Sequence, residues 1–260
     1  MKTAILLMLA TFPLLAQNAQ VIRVLSYNIH HGEGSDAKID LDRIAKVILS
    51  AEPDLVAVQE VDVRTTRVAG VDQAHELAKL TGMHVIFGRT IPYRTGWYGN
   101  ALLSKWPVNH YVNHEMPFTP GRERRGVIEA LMLPPPNTTG GSQYHMLATH
   151  LDTGEADRLL AARRLRELVA ERPEGWPMII AGDMNAVLGS ATMRLLGEDW
   201  TPAQGDGPLF TIPVENPTRQ IDFVMFRPAS RWKVLEARVL PEAVASDHRP
   251  ILAVLELMPE

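Results

Sequence analysis

Short polar segments carry the residues of this sequence that are suited to chemistry. Residues 246–250 (SDHRP) set an aspartate beside a histidine, directly before an apolar run. Four more segments each follow an apolar, strand-like run: residues 27–28 (YN), 59–60 (QE), 149–152 (THLD) and 182–185 (GDMN). Residues 220–222 (QID) lie between the last of these and the SDHRP motif. Because an unpaired polar group is costly to bury, their position at the ends of strands predicts that they meet in one site.

The residue types in these segments suit a hard divalent cation. They supply acids, amides and imidazoles, and the chain has no cysteine, which excludes disulfides, thiolate zinc sites and a thiol nucleophile. Oxygen ligands are those that Mg²⁺ or Mn²⁺ prefers, and Mg²⁺ typically takes one or two carboxylates and keeps waters for a substrate phosphate. We therefore expect a metal ion bound by Glu60, Asp247 and the side-chain oxygen of Asn28.

The remaining polar residues suit hydrolysis of a phosphate ester. A carboxylate with a neighbouring amide, Asp183 with Asn185, can deprotonate and orient a water molecule. The imidazoles of His150 and His248 can donate hydrogen bonds to a phosphoryl oxygen as its charge builds up. The carboxylate of Asp222 is placed to hold His248 in one tautomer and to raise its pKa.

Each segment also has a plainer interpretation when it is taken alone. Asn28 suits a turn after a strand, residues 60–62 suit a solvated strand end, and residues 182–185 suit an Asx turn. Four buried strands each end in a polar residue, and this shared pattern favours one common site over four separate turns or strand ends.

Composition and the N-terminus indicate one exported globular domain. The chain has 260 residues, 46% apolar and 22% charged, with a formal net charge of −4, so nothing indicates a bulk attraction to nucleic acid or anionic membrane. Lys2, an apolar run over residues 4–16 and small residues at Ala16 and Ala19 predict a cleaved signal peptide over residues 1–19. A buried N-terminal helix is the alternative. We expect a single domain over residues 20–260 that is secreted or periplasmic. Residues 137–139 form a glycosylation sequon.

Strands outnumber helices in the predicted elements, and helices alternate with strands in each half. The helices are predicted over residues 41–51 (capped by Asp40), 73–80, 155–170 and 189–196. The strands are predicted over residues 21–29, 55–58, 85–87, 101–103, 127–133, 144–149, 177–181, 221–226, 234–239 and 251–257, with a loop over 93–100 and an irregular segment over 110–125. This pattern favours two packed sheets with helices outside, in the α/β (α+β) class.

Seven motifs in this order resemble the endonuclease/exonuclease/phosphatase superfamily, which includes DNase I-like nucleases, apurinic endonucleases, inositol phosphatases and neutral sphingomyelinases. They are residues 25–28 (LSYN), 59–61 (QEV), 98–104 (YGNALLS), 149–152 (THLD), 182–185 (GDMN), 221–223 (IDF) and 246–250 (SDHRP). The resemblance covers the whole mature chain. It implies a four-layer α/β/β/α sandwich of two mixed sheets and metal-dependent phosphoester hydrolysis.

The resemblance also implies a role for each matched residue. Glu60 matches a metal-binding glutamate, and Asn28 and Asp247 match metal ligands or hydrogen-bond partners of such ligands. Asp183 matches the residue that activates water, and Asn185 matches the residue that positions it. His248 matches a phosphate-contacting histidine, and Asp222 matches its carboxylate partner. His150 matches a histidine of the DNase-like and phosphatase-like branches. His30 departs from the pattern, because several nucleases carry an acid or amide there. We expect His30, Asn100 and Arg124 to contact the substrate.

These inferences predict a secreted Mg²⁺- or Mn²⁺-dependent phosphoesterase that acts on a phosphodiester in preference to a monoester. A DNA or RNA endonuclease and a sphingomyelin-type phosphodiesterase stay open as alternatives. A zinc hydrolase that uses His30, His31 or His150 and a catalytically silent binding or toxin-like module on the same fold also stay open. No protein partner is evident, and we expect a monomer.

Overall fold

Two six-stranded mixed β-sheets pack face to face at the centre of the protein. A computed structural model describes residues 20–135 and 141–259, so the predicted signal peptide and the sequon at residues 137–139 lie outside the described residues. With strands numbered in chain order, the first sheet runs β11 (Trp232–Val239), β12 (Ile251–Leu257), β1 (Gln20–Asn28), β2 (Leu55–Val63), β4 (Gly96–Ser104) and β3 (His84–Tyr93). The second runs β5 (Tyr111–Glu115), β6 (Gly126–Met132), β7 (Tyr144–His150), β8 (Met178–Asp183), β10 (Asp222–Arg227) and β9 (Thr201–Pro202).

Four α-helices in the described part of the chain cover the outer faces of the sheets. They are α1 (Leu41–Ser50), α2 (Gln73–Thr81), α3 (Glu155–Ala170) and α4 (Ala191–Leu196). Short 3₁₀ turns occupy His30–Gly32, Thr66–Val68 and Ala229–Arg231. Among the described residues, no helix combines the length and the apolarity that crossing a membrane requires.

Three apolar cores account for the layering. Residues such as Ile22, Ile128 and Val224 fill the space between the two sheets. Ile44 of α1 packs on the outer face of the first sheet, and Leu165 of α3 packs on the outer face of the second. The protein is therefore the predicted four-layer α/β/β/α sandwich of the α/β (α+β) class.

Helix ends follow their capping residues. Asp40 accepts a hydrogen bond from the Arg43 backbone N–H at the start of α1, as an N-cap carboxylate should. Gly82 ends α2 with a φ of 70°, a conformation that glycine adopts without steric cost. The prediction for α3 is confirmed at both ends.

Three predictions about the strands were wrong. Glu60 does not end its strand: β2 continues to Val63, past a bulge between Val58 and Val61. The predicted loop over residues 93–100 belongs mostly to a hairpin of β3 and β4, since Tyr93 pairs with Gly96. The segment over residues 110–125 contains the edge strand β5, whose short, polar sequence gives little signal without its partner β6.

Each sheet contains one parallel strand pair, and both pairs end at the same place. In the first sheet, Asn28 lies beside Gln59 in the parallel pair of β1 and β2. In the second, His150 lies beside Asp183 in the parallel pair of β7 and β8. The predicted site residues therefore gather at one edge of the sandwich.

Candidate active site

Asn28 joins the two sheets at this edge. Its amide nitrogen donates to Glu60 Oε1 at 3.1 Å and to Asp183 Oδ2 at 3.2 Å. Its Oδ1 accepts from the His30 backbone N–H at 3.1 Å, and its own carbonyl accepts from Ser246 Oγ at 2.7 Å. Asn28 thus holds a carboxylate from each sheet close together, and in this arrangement its side-chain oxygen is already engaged. Its predicted role as a metal ligand stays a prediction.

Asp183, Asp222 and His248 form a buried charged triad. Asp222 opens β10 directly across from Asp183, the last residue of β8. His248 Nδ1 lies 2.9 Å from Asp222 Oδ2, and its Nε2 lies 3.8 Å from Asp183 Oδ2. All three side chains are buried.

Burial and charge set opposite protonation tendencies in this triad. Burial, then the neighbouring charge of Asp222, raises the pKa of Asp183 to about 7. For His248, burial lowers the pKa, but the charge and hydrogen bond of Asp222 outweigh it and raise the pKa to about 10. The triad therefore offers a carboxylate that can accept a proton near neutral pH beside an imidazolium that can donate one.

His150 is held as a neutral imidazole. Arg125 Nη1 lies 3.0 Å from His150 Nδ1, and because a guanidinium only donates, Nδ1 must accept and the ring proton sits on Nε2. Burial, then the positive charges of Arg125 and His248, lowers the pKa of His150 well below its ordinary value. Its Nε2 lies 3.4 Å from Asp183 Oδ2, the carboxylate oxygen that His248 also approaches.

Asn185 closes a tight turn against Asp183. Its backbone has a φ of 47°, and its N–H donates to Asp183 Oδ1 at 2.8 Å, so the segment is also the Asx turn that its sequence suits. Its amide nitrogen donates to the Leu151 carbonyl and lies 3.0 Å from His150 Nε2. The turn therefore fixes Asn185 next to Asp183 and His150.

The donor set fits a divalent cation. Asp183 and Asp222 are buried anions on paired strands, and Asp222 Oδ1 is buried with no hydrogen-bond partner. Glu60, half-buried, presents its carboxylate to the same Asn28 amide as Asp183. Oxygen ligands of this kind suit Mg²⁺ or Mn²⁺, which would offset the concentrated negative charge.

The third predicted metal ligand, Asp247, directly precedes His248 in the chain. It is exposed, and its Oδ1 lies 3.3 Å from Ser246 Oγ, whose hydrogen is donated to the Asn28 carbonyl. It lines a cavity of about 360 Å³ together with His30, Arg219 and His248. Its predicted contact with the metal remains a prediction.

The three predicted substrate residues fall in different surroundings. His30 is half-buried beside Glu60 and lines the cavity that contains Asp247. Arg124 is 54% exposed and lines a second cavity of about 450 Å³. Asn100 is buried, and its amide donates to the Gly126 carbonyl at 3.1 Å, which links β4 to β6 across the two sheets.

Sequence reasoning missed the contribution of Arg125 and Tyr98. Arg125 is only 11% exposed and fixes the tautomer of His150, although it lies in the segment predicted to be irregular. Burial, then the charge of Glu60, raises the pKa of Tyr98 well above its ordinary value, so its phenol stays protonated near the site. The signals in the sequence were the YGNALLS motif, which begins at Tyr98, and the arginines of residues 122–125.

Comparisons with known proteins identify the family of this chain. A model of the Endonuclease/Exonuclease/phosphatase family matches residues 25–248. The uncharacterized protein YbhP of Escherichia coli (strain K12) is 31% identical over 248 residues, which cover 90% of this chain and 96% of that protein.

Two solved structures share the fold. An endonuclease/exonuclease/phosphatase from Beutenbergia cavernae DSM 12333 is 25% identical with a TM-score of 0.73, covering 92% of this chain and 72% of its own. The mannosyl-6-phosphatase of Bacteroides thetaiotaomicron VPI-5482 has a TM-score of 0.74 at 17% identity, covering 90% of this chain and 99% of its own, which shows likeness of fold alone. The chain therefore belongs to the endonuclease/exonuclease/phosphatase family, whose members are hydrolases of phosphate esters.

Proposed function

We propose that the protein is an exported, divalent-metal-dependent phosphoesterase that hydrolyses a phosphodiester in preference to a monoester. The observation that carries the proposal is the arrangement around Asp183. Its carboxylate oxygen Oδ2 lies 3.4 Å from His150 Nε2 and 3.8 Å from His248 Nε2, and it accepts a hydrogen bond from Asn28 at 3.2 Å.

Asp183 is the base in this mechanism. Its raised pKa of about 7 lets it take a proton from water near neutral pH, and the backbone N–H of Asn185 orients the carboxylate. The Nε2 of His248 and of His150 are the donors for phosphoryl oxygens as negative charge grows on them. Asp222 keeps His248 charged, and Arg125 keeps the His150 proton on Nε2.

Glu60 is the residue we expect to hold the metal ion, together with the two other predicted ligands, Asn28 and Asp247. When bound, the cation would supply positive charge next to the phosphoryl group and the leaving oxygen. The amide of Asn28 orients the Glu60 carboxylate through its 3.1 Å hydrogen bond.

Two cavities, one lined by His248 of the triad and one lined by Arg125, support a diester substrate. Arg125, which contacts His150, opens into the 450 Å³ cavity lined by Arg89, Trp97 and Arg124. His248 lines the 360 Å³ cavity on its own side, together with Arg219. A diester has a substituent for each cavity, whereas a monoester fills only one.

A monoester phosphatase is the second candidate function. The mannosyl-6-phosphatase of the comparison shares the fold, and its name describes a monoester reaction. The acidic net charge of −4 gives less support to a nuclease, which needs a basic groove along the nucleic-acid backbone. A phospholipid diester fits the exposed Trp97 of the β3–β4 hairpin, but one exposed aromatic residue is a weak membrane contact.

The test is hydrolysis of bis(p-nitrophenyl) phosphate beside p-nitrophenyl phosphate by the chain without residues 1–19, in Mg²⁺, Mn²⁺ or EDTA. We expect metal-dependent turnover with a higher kcat/KM for the diester. Arg124→Ala should raise KM for the diester, and Arg163→Ala, an exposed arginine on α3, is the matched control. A higher kcat/KM for the monoester would move the assignment to a phosphatase, and turnover of neither substrate would favour the silent binding module.

A further inference from the structure

One cluster near the triad contains imidazole nitrogens that have no role in the proposed hydrolytic mechanism. A ring nitrogen of His30, a ring nitrogen of His31 and a carboxylate oxygen of Glu60 all lie within 4.8 Å of one another. We propose that these three residues bind a transition-metal ion such as Zn²⁺ in preference to Mg²⁺. Because the cluster shares Glu60 with the metal predicted for hydrolysis, this inference deepens the proposed function.

The backbone of all three residues is held in an unfavourable conformation. His30, His31 and Glu60 have φ values of 45°, 43° and 60°, in the left-handed region that non-glycine residues seldom adopt. Each such residue costs on the order of 1 kcal/mol or more and persists only where the surroundings enforce it. Three of them in one ligand set indicate that the chain is bent to bring these side chains together.

Neighbouring groups hold the two histidines in place. Asn28 Oδ1 accepts from the His30 N–H at 3.1 Å, while the same amide donates to Glu60 at 3.1 Å. The Gln73 amide donates to the His31 carbonyl at 2.6 Å and accepts from the Asp62 N–H at 2.9 Å. Outer contacts of this kind fix ligand orientation in metal sites.

His31 has a ring nitrogen that needs a partner. The residue is 7% exposed, its Nδ1 is buried with no hydrogen-bond partner, and its Nε2 has only a long contact of 3.4 Å to Glu33 Oε2. A buried imidazole nitrogen without a partner is costly, and a bound cation would satisfy it. His30 packs edge-on against His31 with ring centroids 4.5 Å apart, so both rings are ordered together.

The chemistry of the ligands decides which metal is preferred. Imidazole suits Zn²⁺ and other transition metals, whereas Mg²⁺ prefers oxygen ligands and retains its waters. Two histidines and one glutamate form a common zinc ligand set that leaves a coordination position open. The adjacent pair His30–His31 meets this requirement through its left-handed backbone in place of the usual helical spacing.

The test is a metal titration of the chain stripped with EDTA, using Zn²⁺, Co²⁺ and Mg²⁺ by calorimetry and the visible absorption of Co²⁺ as a spectroscopic readout. Loss of an outer contact typically weakens a site about 10- to 100-fold, so loss of a ligand in His30→Ala or His31→Ala should weaken Zn²⁺ binding at least about 100-fold. Mg²⁺ affinity should stay within about twofold, and His75→Ala, an exposed histidine on α2, should change nothing.

Two variants keep the test decisive. His30→Gln and His31→Gln retain a polar side chain, and circular dichroism shows whether each variant folds. Zn²⁺ affinity equal to the parent chain in folded variants would overturn the proposal. Tight Zn²⁺ binding in a chain that hydrolyses no phosphate ester would retain this metal site and reject the proposed function.

Discussion

His248 shows how one contact sets the chemistry of a residue. Its Nδ1 hydrogen bond to Asp222 at 2.9 Å and the charge of that carboxylate keep it protonated although the ring is buried. A folded-state pKa raised above the unfolded value stabilises the protein below pH about 6.5, and this stabilisation is lost as the pH rises through about 10.

Asp222→Asn should therefore lower the pKa of His248 by more than one unit in metal-free protein. The substitution removes the negative charge and keeps the side-chain shape, so the desolvation of the ring dominates. An NMR pH titration of the His248 ring measures it, with Asp206→Asn, on a distant loop, as the control. An unchanged His248 pKa would show that Asp183 or Asp247 supplies the charge instead.

Residue types predicted much of the candidate site, because polar residues at the ends of buried strands stand out in sequence. Asp183, Asp222 and His248 come together as expected. Arg125 and the bulge at Glu60 were missed, because each depends on a contact between segments far apart in sequence. No local pattern encodes which of two adjacent arginines turns inward.

At the scale of elements, the parallel pair of β7 and β8 places His150 beside Asp183. Gly182 lies in this pair where the backbones approach closely: a Cβ at that position would lie 2.0 Å from the Thr149 carbonyl oxygen. Only a glycine fits there without a shift of one strand.

Gly182→Ala should destabilise the fold by about 1–3 kcal/mol, the usual cost of overpacking, and should lower activity by displacing Asp183. Urea unfolding measures the first effect. Gly207→Ala is the matched control, since a Cβ there would meet no atom within 4 Å. Equal midpoints for both variants would mean that the strands adjust freely.

Glu129 of β6 joins β5, β7 and the segment after α3. Burial opposes the charge of Glu129, but hydrogen bonds from His145, Arg172 and His114 outweigh it and lower its pKa to about 2. Because this pKa is depressed, the stabilisation is full above the unfolded value of 4.5 and is lost as the pH falls to about 2.

We expect the free energy of unfolding to fall by about 3 kcal/mol between pH 4.5 and 2 on account of this carboxylate, at 1.36 kcal/mol per pKa unit. Glu129→Gln should be less stable at pH 7 and should show a shallower loss over that range. Glu174→Gln, on the surface after α3, serves as the reference. Parallel pH profiles of stability for Glu129→Gln and the parent chain would show that the Glu129 carboxylate does not cause the loss of stability in acid.

At the scale of the whole molecule, the site lies where the two sheets meet, with Glu60 on the first sheet and Asp183 on the second. The Asn28–Asp183 hydrogen bond at 3.2 Å is a direct contact between the sheets there. A ligand that binds only the folded chain stabilises it by about 2.7 kcal/mol at 100 times its Kd.

Metal at that concentration should raise Tm by about 5–10 °C, given about 2–4 °C per kcal/mol for a chain of this size. EDTA should reverse the rise, and Glu60→Gln should remove most of it. Calorimetric scans with and without metal measure both. A Tm that is the same with and without metal would show that no cation binds the folded chain under those conditions.

The most direct test of the account is the turnover of bis(p-nitrophenyl) phosphate by Asp183→Asn with saturating metal. Removal of a general base typically costs about 10²- to 10⁴-fold, so kcat should fall by that factor while Tm stays close to that of the parent chain. Asp157→Asn, a buried aspartate on α3, controls for the loss of a buried charge. A folded Asp183→Asn chain with the parent kcat would contradict the assignment of Asp183 as the base that activates water.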